Sequence, residues 1–278
     1  MTATKQGTLV GMMFWVGSDA PIMGVRPAHW HWYDHAIPFS ARIDTLLSWI
    51  DLPPGERPRL LMGYFEEPDT QGHIHGPDAP ETRAAVLRVD SALAQLTAGL
   101  RARTLYDSVD IVIVSDHGMA AISPERRVYL DDYVDSANVN VVNMSPNLMI
   151  GARDGNDDAL LARLAKMPHL KVWKKADAPA RLHYGANPRI PPIVGIIDDG
   201  WMIEWRHGKP YDGGGEHGYD NADSDMRALF LARGPDFKPG VSIDPFPNVD
   251  VYDLIARLLG ITPATNDGAL APFAPVLR

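Results

Sequence analysis

The chain has 278 residues, of which 45% are hydrophobic and 22% are charged, so it can bury a sizeable core and has ordinary globular composition. Its formal net charge of -9 argues against a nucleic-acid-binding surface, because phosphate contacts need clustered lysine and arginine. The absence of cysteine excludes disulfides, thiolate metal ligands and a cysteine nucleophile.

Targeting signals are also missing from the sequence. No apolar stretch reaches the length of about 20 residues that a membrane-spanning helix needs. The N-terminus has no charged region followed by an apolar stretch and a small-residue cleavage site, so we expect no signal peptide and a cytoplasmic chain as written. A true start further upstream would instead make the protein periplasmic or secreted.

The first predicted elements are a strand, an irregular loop and a helix. Residues 11–39 contain glycine, proline and aromatic side chains without a clean period, which predicts a strand followed by a loop. Residues 40–51 then repeat apolar side chains at helical spacing, with Ser40 as the expected N-cap. Pro53 and the residues after it should end this helix, whose apolar face would pack on the core.

The next predicted strand ends at two polar side chains. Residues 59–65 are apolar and predict a buried strand, and the prolines and glycines that follow predict irregular backbone. Asp69 and His73 lie in this irregular segment, one turn of chain apart, and a carboxylate paired with an imidazole suits zinc. Because such pairs are common in loops, a solvated turn is the alternative when this stretch is taken alone.

A second strand ends in the same way. Residues 81–103 carry a continuous apolar stripe and predict a long helix that covers a sheet. Residues 109–115 are apolar and β-branched, and they lead into Asp116 and His117. Strand, helix and strand together predict a right-handed βαβ unit with parallel strands, which would place Asp69 and Asp116 at the same edge of one sheet.

The second half of the sequence has weaker periodicity. Short strands are predicted at 139–142 and 170–173, with a helix over 158–167 between them. A glycine-rich loop then supplies His217. A strand over 226–232 and a final helix complete the predicted elements, with Asn248 as the expected cap and Gly260 as the expected end of the helix.

Three motifs carry a resemblance to a known family. E-E-P-D-T-Q-G-H-I-H-G-P over 66–77, S-D-H-G-M over 115–119 and H-G-Y-D-N over 217–221 resemble the nucleotide pyrophosphatase/phosphodiesterase family of the alkaline phosphatase superfamily. The resemblance implies an α/β fold, with a central, mostly parallel sheet flanked by helices and a small α+β insertion at approximately 124–210. It also implies that residues 1–278 are an incomplete phosphodiesterase catalytic domain.

The resemblance assigns site residues one by one. Asp69, His73 and His217 would bind one zinc, and Asp116 with His117 would bind its neighbour. Two further residues, Tyr33 and Tyr64, match aromatic positions that flank a nucleotide base, with packing in the aromatic core as the alternative for each. Three histidines of the early loop could be considered as ligands but match no motif, and we expect them to be loop surface: His29, His31 and His35.

The family also carries residues that find no match in this chain. These are a metal-binding aspartate at the end of a first strand and a threonine nucleophile at a helix start. The resemblance therefore implies a zinc-dependent hydrolase of nucleotide phosphodiester or pyrophosphate bonds that is inactive as the isolated chain. Two alternatives stay open: a non-catalytic remnant that binds zinc and nucleotide, and a relative that hydrolyses phosphomonoesters or phosphonates.

Overall fold

A computed structural model describes all 278 residues of the chain. The helices are α1 (Thr2–Lys5), α2 (Phe39–Ile50), α3 (Asp69–His75), α4 (Pro80–Ala102), α5 (Asp157–Leu164) and α6 (Val251–Leu259). The strands are β1 (Val10–Met13), β2 (His29–Trp30), β3 (Leu60–Gly63), β4 (Ile111–Val114), β5 (Ala120–Ala121), β6 (Arg127–Tyr129), β7 (Val139–Asn143), β8 (Asn147–Ala152), β9 (Leu170–Lys174), β10 (Ile193–Ile197), β11 (Met202–Glu204), β12 (Gly215–Glu216) and β13 (Phe230–Arg233). No helix has the length and apolar character needed to cross a membrane.

The chain divides into two compact units. The first unit comprises Met1–Glu67, Ala85–Asp116 and Phe230–Arg278, and the second comprises Pro68–Ala84 and His117–Leu229. The boundary passes between several candidate site residues that are close in sequence. The first unit contains Asp116 and the two candidate tyrosines, Tyr33 and Tyr64. The second unit contains Asp69 and the three candidate histidines at positions 73, 117 and 217.

The first unit contains a parallel sheet and a separate pair of strands. In the parallel sheet, β1 lies between β2 and β3, with Gly11 opposite Leu61. In the pair, β4 runs antiparallel to β13. The core beneath the parallel sheet includes Met13 and Phe14 of the β1 segment, together with Ile43 from α2, all buried. This confirms that the apolar face of α2 packs on the core.

The expected βαβ unit is not formed as a single sheet. β3 and β4 belong to different sheets, and the pairing of β4 is antiparallel. The expectation that Asp69 and Asp116 share one sheet edge is therefore wrong. The helix between the two strands, α4, does form, because its apolar stripe depends on local spacing, whereas the neighbour of a strand is chosen by long-range pairing.

Helix starts also differ from the expectation. α2 begins at Phe39 with Pro38 as its N-cap, so Ser40 lies inside the first turn instead of capping it. Asn248 lies in a short 3-10 turn, and Asp250 is the N-cap of α6. Proline tolerates a position at the start of a helix because the first backbone N–H groups have no intrahelical partner.

The second unit is built on an antiparallel sheet with strand order β7-β8-β10-β9. The predicted strands at 139–142 and 170–173 are confirmed, and both are one residue longer. α5 packs its fully buried Leu160 and Leu164 into the core of this unit. Two shorter pairs complete the unit, a parallel pair of β6 with β11 and an antiparallel pair of β5 with β12.

Candidate metal centre

Helix α3 positions the first two candidate ligands. The segment predicted to be irregular is helical from Asp69 to His75, with Pro68 as the N-cap. Asp69 and His73 are therefore one helical turn apart and point to the same face. The Nε2 atom of His73 lies 3.4 Å from Oδ1 of Asp69.

The glycine run before His217 packs directly against α3. The backbone N–H of Gly214 donates a hydrogen bond to the carbonyl of His73 at 2.8 Å. A Cβ on Gly214 would lie 2.3 Å from the carbonyl carbon of His75, and a Cβ on Gly215 would lie 2.5 Å from the carbonyl oxygen of Gly72. Only glycine permits this approach, and the approach brings His217, two residues after Gly215, alongside the helix.

Three imidazoles surround one carboxylate oxygen. The Nε2 atom of His217 lies 3.6 Å from Oδ1 of Asp69, and the Nε2 atom of His117 lies 3.8 Å from it. The rings of His117 and His217 stack with centroids 3.5 Å apart, and those of His73 and His217 are 4.9 Å apart. The donor atoms of Asp69, His73 and His217 all lie within 4.8 Å of one another.

The carboxylate at the centre of this cluster has an unsatisfied atom. Oδ1 of Asp69 is buried and has no hydrogen-bond partner, although the side chain as a whole is 41% exposed. Leaving a buried acceptor without a partner is costly, so native structures rarely do it without a reason. One carboxylate oxygen and two or three imidazole nitrogens form the donor set that zinc prefers, and the cluster fits a bound zinc ion.

Hydrogen bonds on the far side of the rings orient two of the histidines. Nδ1 of His73 lies 3.2 Å from the carbonyl oxygen of Gly215, and Nδ1 of His117 lies 2.8 Å from that of Gly118. A carbonyl accepts only from a protonated nitrogen, so these contacts favour the proton on Nδ1 and turn Nε2 toward Asp69. Burial, followed by the neighbouring His117, lowers the pKa of His217, which favours the neutral, ligating form.

The remaining predicted site residues lie in the first unit. Asp116 follows β4 there. Tyr33 and Tyr64 contact each other edge to face, with ring centroids 6.4 Å apart, and Tyr33 also contacts Phe14 at 5.4 Å. Tyr33 remains 44% exposed. Burial, and then the charge of Glu66, raises its pKa and keeps the phenol neutral.

Sequence reasoning missed a buried ion pair next to these tyrosines. Arg42 is 1% exposed and donates to both carboxylate oxygens of Glu66, at 2.5 and 3.1 Å. It also donates to the carbonyl oxygens of Tyr64 at 3.1 Å and Ile37 at 3.0 Å. A single arginine inside an amphipathic helix gives no signal of this role, because a surface arginine has the same spacing.

The three unassigned histidines also make contacts in the first unit. The ring of His31 stacks on Trp49 with centroids 5.7 Å apart, and His29 contacts the same indole. His35 lies 3.3 Å from the Glu66 carboxylate. The expectation of loop surface fits His31 and His35, which are exposed, while His29 is half-buried in β2.

A second missed residue, Tyr211, lies beside the metal cluster. Its hydroxyl is 3.2 Å from Nδ1 of His73 and donates to the carbonyl oxygen of Gly215 at 2.9 Å. Burial, followed by the nearby Glu216 and Asp69 carboxylates, raises the pKa of Tyr211 to about 12. The hydroxyl is therefore a neutral hydrogen-bonding group. No local pattern marks it, since a tyrosine in a turn is common.

Comparisons with known proteins agree with the motifs. The sequence profile of the family described as "Type I phosphodiesterase / nucleotide pyrophosphatase" matches residues 1–220. The chain is 38% identical to ectonucleotide pyrophosphatase/phosphodiesterase family member 3 of Bos taurus and 36% identical to the venom phosphodiesterase CdcPDE of Crotalus durissus collilineatus. In both cases the whole chain is covered, but it spans only about a third of the relative's length.

A solved structure resembles the whole chain. Murine ectonucleotide pyrophosphatase / phosphodiesterase 5, in an inactive threonine-to-alanine variant in complex with AMP, superposes with a TM-score of 0.94 at 32% identity. The match covers 100% of this chain and 74% of that one. It confirms the α/β, alkaline-phosphatase-like fold expected from the motifs.

Proposed function

Because the chain belongs to the type I phosphodiesterase / nucleotide pyrophosphatase family, we propose that it is a zinc-binding part of a hydrolase for nucleotide phosphodiester or pyrophosphate bonds. The observation that carries this proposal is the buried, unpartnered Oδ1 of Asp69 with three imidazole Nε2 atoms around it. In the proposal, Asp69, His73 and His217 hold one zinc. Asp116 and His117 contribute to a second.

The residues of the chain have distinct tasks in this proposal. Bound zinc supplies positive charge that neutralises phosphoryl oxygens and acidifies an attacking group. The backbone carbonyls behind His73 and His117 favour the proton of each ring on Nδ1, so that each Nε2 faces inward. The carboxylate of Asp69 offsets the charge of the ion, and the glycine run keeps His217 against α3.

Substrate binding is proposed for the aromatic pair in the first unit. Tyr33 and Tyr64 present aromatic rings, and Tyr33 is partly exposed, as a stacking wall for a base requires. The murine relative was solved in complex with AMP, which supports a nucleotide as the ligand of this chain. The pair weighs against a phosphomonoesterase or phosphonate hydrolase, whose substrates need no stacking wall.

Turnover is a separate question from binding. The threonine nucleophile implied by the family has no match among the residues of this chain, and exchange of a threonine for alanine accompanies inactivity in the murine relative. We therefore propose that the chain alone binds zinc and nucleotide without hydrolysing at a measurable rate. A non-catalytic zinc- and nucleotide-binding protein is the second candidate, and it predicts the same binding.

The proposal also includes the domain organisation of the chain and the compartment of the protein. We propose that approximately 124–210 is an insertion into the catalytic domain, because the antiparallel sheet of the second unit lies within it. The names of the relatives contain "ectonucleotide" and "venom", which favours the periplasmic or secreted alternative over the cytoplasmic one.

Binding of AMP to the purified chain, measured by calorimetry with and without zinc, tests the proposed function. We expect binding that requires zinc and that is lost in His217→Ala. Tyr33→Leu should weaken it by about 1–3 kcal/mol, the usual contribution of a base stacked on an aromatic ring. Tyr184→Leu is the matched control, since Tyr184 is a similarly exposed tyrosine of the second unit.

Two results would contradict the proposal. Zinc-independent binding of AMP would separate nucleotide recognition from the Asp69 cluster. Hydrolysis of a chromogenic phosphodiester that disappears in His217→Ala would show that the chain does contain a nucleophile, because loss of a nucleophile costs about six powers of ten in turnover.

A further inference from the structure

One histidine of the cluster is supported by more than a backbone carbonyl. Nδ1 of His73 faces two oxygen atoms at 3.2 Å, the carbonyl of Gly215 and the hydroxyl of Tyr211. The single proton of the Tyr211 hydroxyl has an acceptor at 2.9 Å, again the carbonyl of Gly215. With that proton directed to Gly215, a lone pair of the hydroxyl oxygen faces the imidazole.

This arrangement favours one tautomer of His73. A lone pair of Tyr211 and a lone pair of Gly215 both point at Nδ1, so a proton on Nδ1 is stabilised by two acceptors. With the proton on Nε2 instead, an unprotonated Nδ1 would face the carbonyl, which has no proton to donate, and the hydroxyl could donate to it only by giving up its bond to Gly215. The carboxylate oxygen Oε1 of Glu216, 3.6 Å from Nδ1, is a further acceptor that favours the same tautomer. The hydroxyl therefore helps to keep the lone pair of Nε2 available on the side of Asp69.

Tyr211 is itself fixed by a buried ion pair. Its backbone N–H donates to Oε1 of Glu204 at 3.0 Å, and its carbonyl accepts from Arg127 at 2.7 Å. Arg127 also pairs with Oε2 of Glu204 at 3.1 Å. Both side chains are largely buried, 15% exposed for the arginine and 8% for the glutamate.

Both residues of the Arg127–Glu204 pair lie in β-strands. Arg127 begins β6 and Glu204 ends β11, and these two strands are parallel neighbours. Residues 206–210, between β11 and Tyr211, are exposed. The ion pair therefore places Tyr211 at a defined position although the segment that precedes it lies on the surface.

We propose that Tyr211, held by the Arg127–Glu204 pair, is a positioning residue that fixes the tautomer and the ring orientation of His73 for metal binding. The inference rests on the proposed function in one respect, the presence of zinc at Nε2. Outer partners of ligating histidines commonly contribute 10- to 100-fold in metal affinity, and we expect a loss of about that size when the hydroxyl is removed.

Tyr211→Phe tests the proposal because it removes only the hydroxyl. Tyr219→Phe is the matched control: Tyr219 also belongs to the second unit, and its hydroxyl also donates to a carbonyl, that of Trp201, at 3.0 Å. The dissociation constant for zinc, measured by competition with a chromogenic chelator, should rise by about 10- to 100-fold in Tyr211→Phe and stay near the wild-type value in Tyr219→Phe. Equal constants for wild type and Tyr211→Phe, or equal losses in both variants, would overturn the proposal.

A second measurement needs no metal. Nitrogen-15 correlation spectra of the histidine rings in the metal-free chain, at about pH 8 where imidazoles are neutral, report which nitrogen carries the proton. We expect the Nδ1–H form of His73 in the wild type and a mixture in Tyr211→Phe. A wild-type His73 that carries its proton on Nε2 would overturn the inference even if Tyr211→Phe did not fold.

The two measurements separate this inference from the proposed function. If the wild type bound no zinc, the metal in the proposed function would be wrong, while the ring spectra would still decide the role of Tyr211. If zinc bound equally well to the wild type and to Tyr211→Phe, the positioning role of Tyr211 would be wrong, but the proposed zinc site would be unaffected.

Discussion

Glu66 and Asp69 are neighbours in the sequence with opposite surroundings. In the first unit, Glu66 is 13% exposed, and both of its oxygens accept hydrogen bonds from the buried guanidinium of Arg42. In the second unit, Asp69 has a buried oxygen without a hydrogen-bond partner, facing the Nε2 atoms of three histidines. The protein supplies hydrogen-bond donors to both oxygens of Glu66, but none to Oδ1 of Asp69.

The difference shows how to separate a structural carboxylate from a ligating one. A buried carboxylate oxygen is costly unless it is compensated, either by a cation of the protein or by one from solution. Arginine donates hydrogen bonds and cannot be a metal ligand, whereas neutral imidazoles offer lone pairs. The partners of each carboxylate therefore indicate its role. That role can be tested by changing either the carboxylate or one of its partners.

The largest effect is expected when Glu66 loses its cation. Arg42→Met leaves the carboxylate buried with only the exposed His35 beside it and removes the donor to the Tyr64 carbonyl, so we expect a loss of about 3–5 kcal/mol in the free energy of unfolding. Urea denaturation measures it. Arg103→Met is the control, because the Arg103–Asp51 pair is much more exposed and should contribute far less to stability. Equal losses would mean that burial does not distinguish the two pairs.

The second effect concerns zinc and Asp69. At a free zinc concentration about 100 times the dissociation constant, binding should stabilise the wild type by about 2.7 kcal/mol. Asp69→Asn should lose most of this gain, because the central carboxylate is gone, while Asp78→Asn, an exposed change close in sequence, should keep it. Thermal unfolding with and without zinc measures the difference. A full zinc response in Asp69→Asn would show that the ion binds elsewhere.

A smaller effect is expected from pH. Burial alone would raise the pKa of Glu66, but the hydrogen bonds from Arg42 and from the backbone outweigh it and lower the pKa below the ordinary 4.5. The folded state therefore holds the charged form more tightly than the unfolded state does. This stability is fully present above pH 4.5 and is lost as the pH falls through the folded-state pKa.

Glu66→Gln tests the direction of this pH effect. Because glutamine does not titrate, the stability of the variant should fall less steeply than that of the wild type on acidification below pH 4.5. Chemical denaturation at a series of pH values gives both slopes. Parallel curves for the two proteins would mean that Glu66 does not contribute to acid sensitivity.

The smallest effect on stability is expected from His35, which lies on the exposed side of the Arg42–Glu66 pair. His35 lies 3.3 Å from Glu66, but its side chain is 75% exposed, so His35→Ala should change the free energy of unfolding by no more than about 1 kcal/mol. Urea denaturation at neutral pH checks this. A loss comparable to that of Arg42→Met would show that the histidine, and not the arginine, compensates the carboxylate.

Features that depend on local spacing were predictable from the sequence. The apolar stripes of α2 and α4 gave correct helices, and Gly260 ends α6 in the left-handed conformation that favours glycine, with φ of 68°. Asp69 and His73 were also predicted as a pair one turn of chain apart, although the segment was expected to be irregular and is helical. Their meeting with His217 required the family motifs.

Features that depend on distant partners were not predictable. β4 pairs with β13, and nothing in residues 109–115 indicates an antiparallel neighbour from the last part of the chain. The same holds for Arg42 and Tyr211, whose roles depend on Glu66 and on His73. Local propensity constrains a helix, but it carries no information about which buried group a long side chain will reach.

The packing of the glycine run, residues 213–215, against α3 also bears on the order in which the protein folds. His73 and Gly215 are separated by 142 positions in the chain, and Gly214 contacts the helix directly. Closing so long a loop is entropically costly, so the contact should form after the local helices. Zinc would then bind a centre that is completed late in folding, and it should slow unfolding while leaving the refolding rate unchanged.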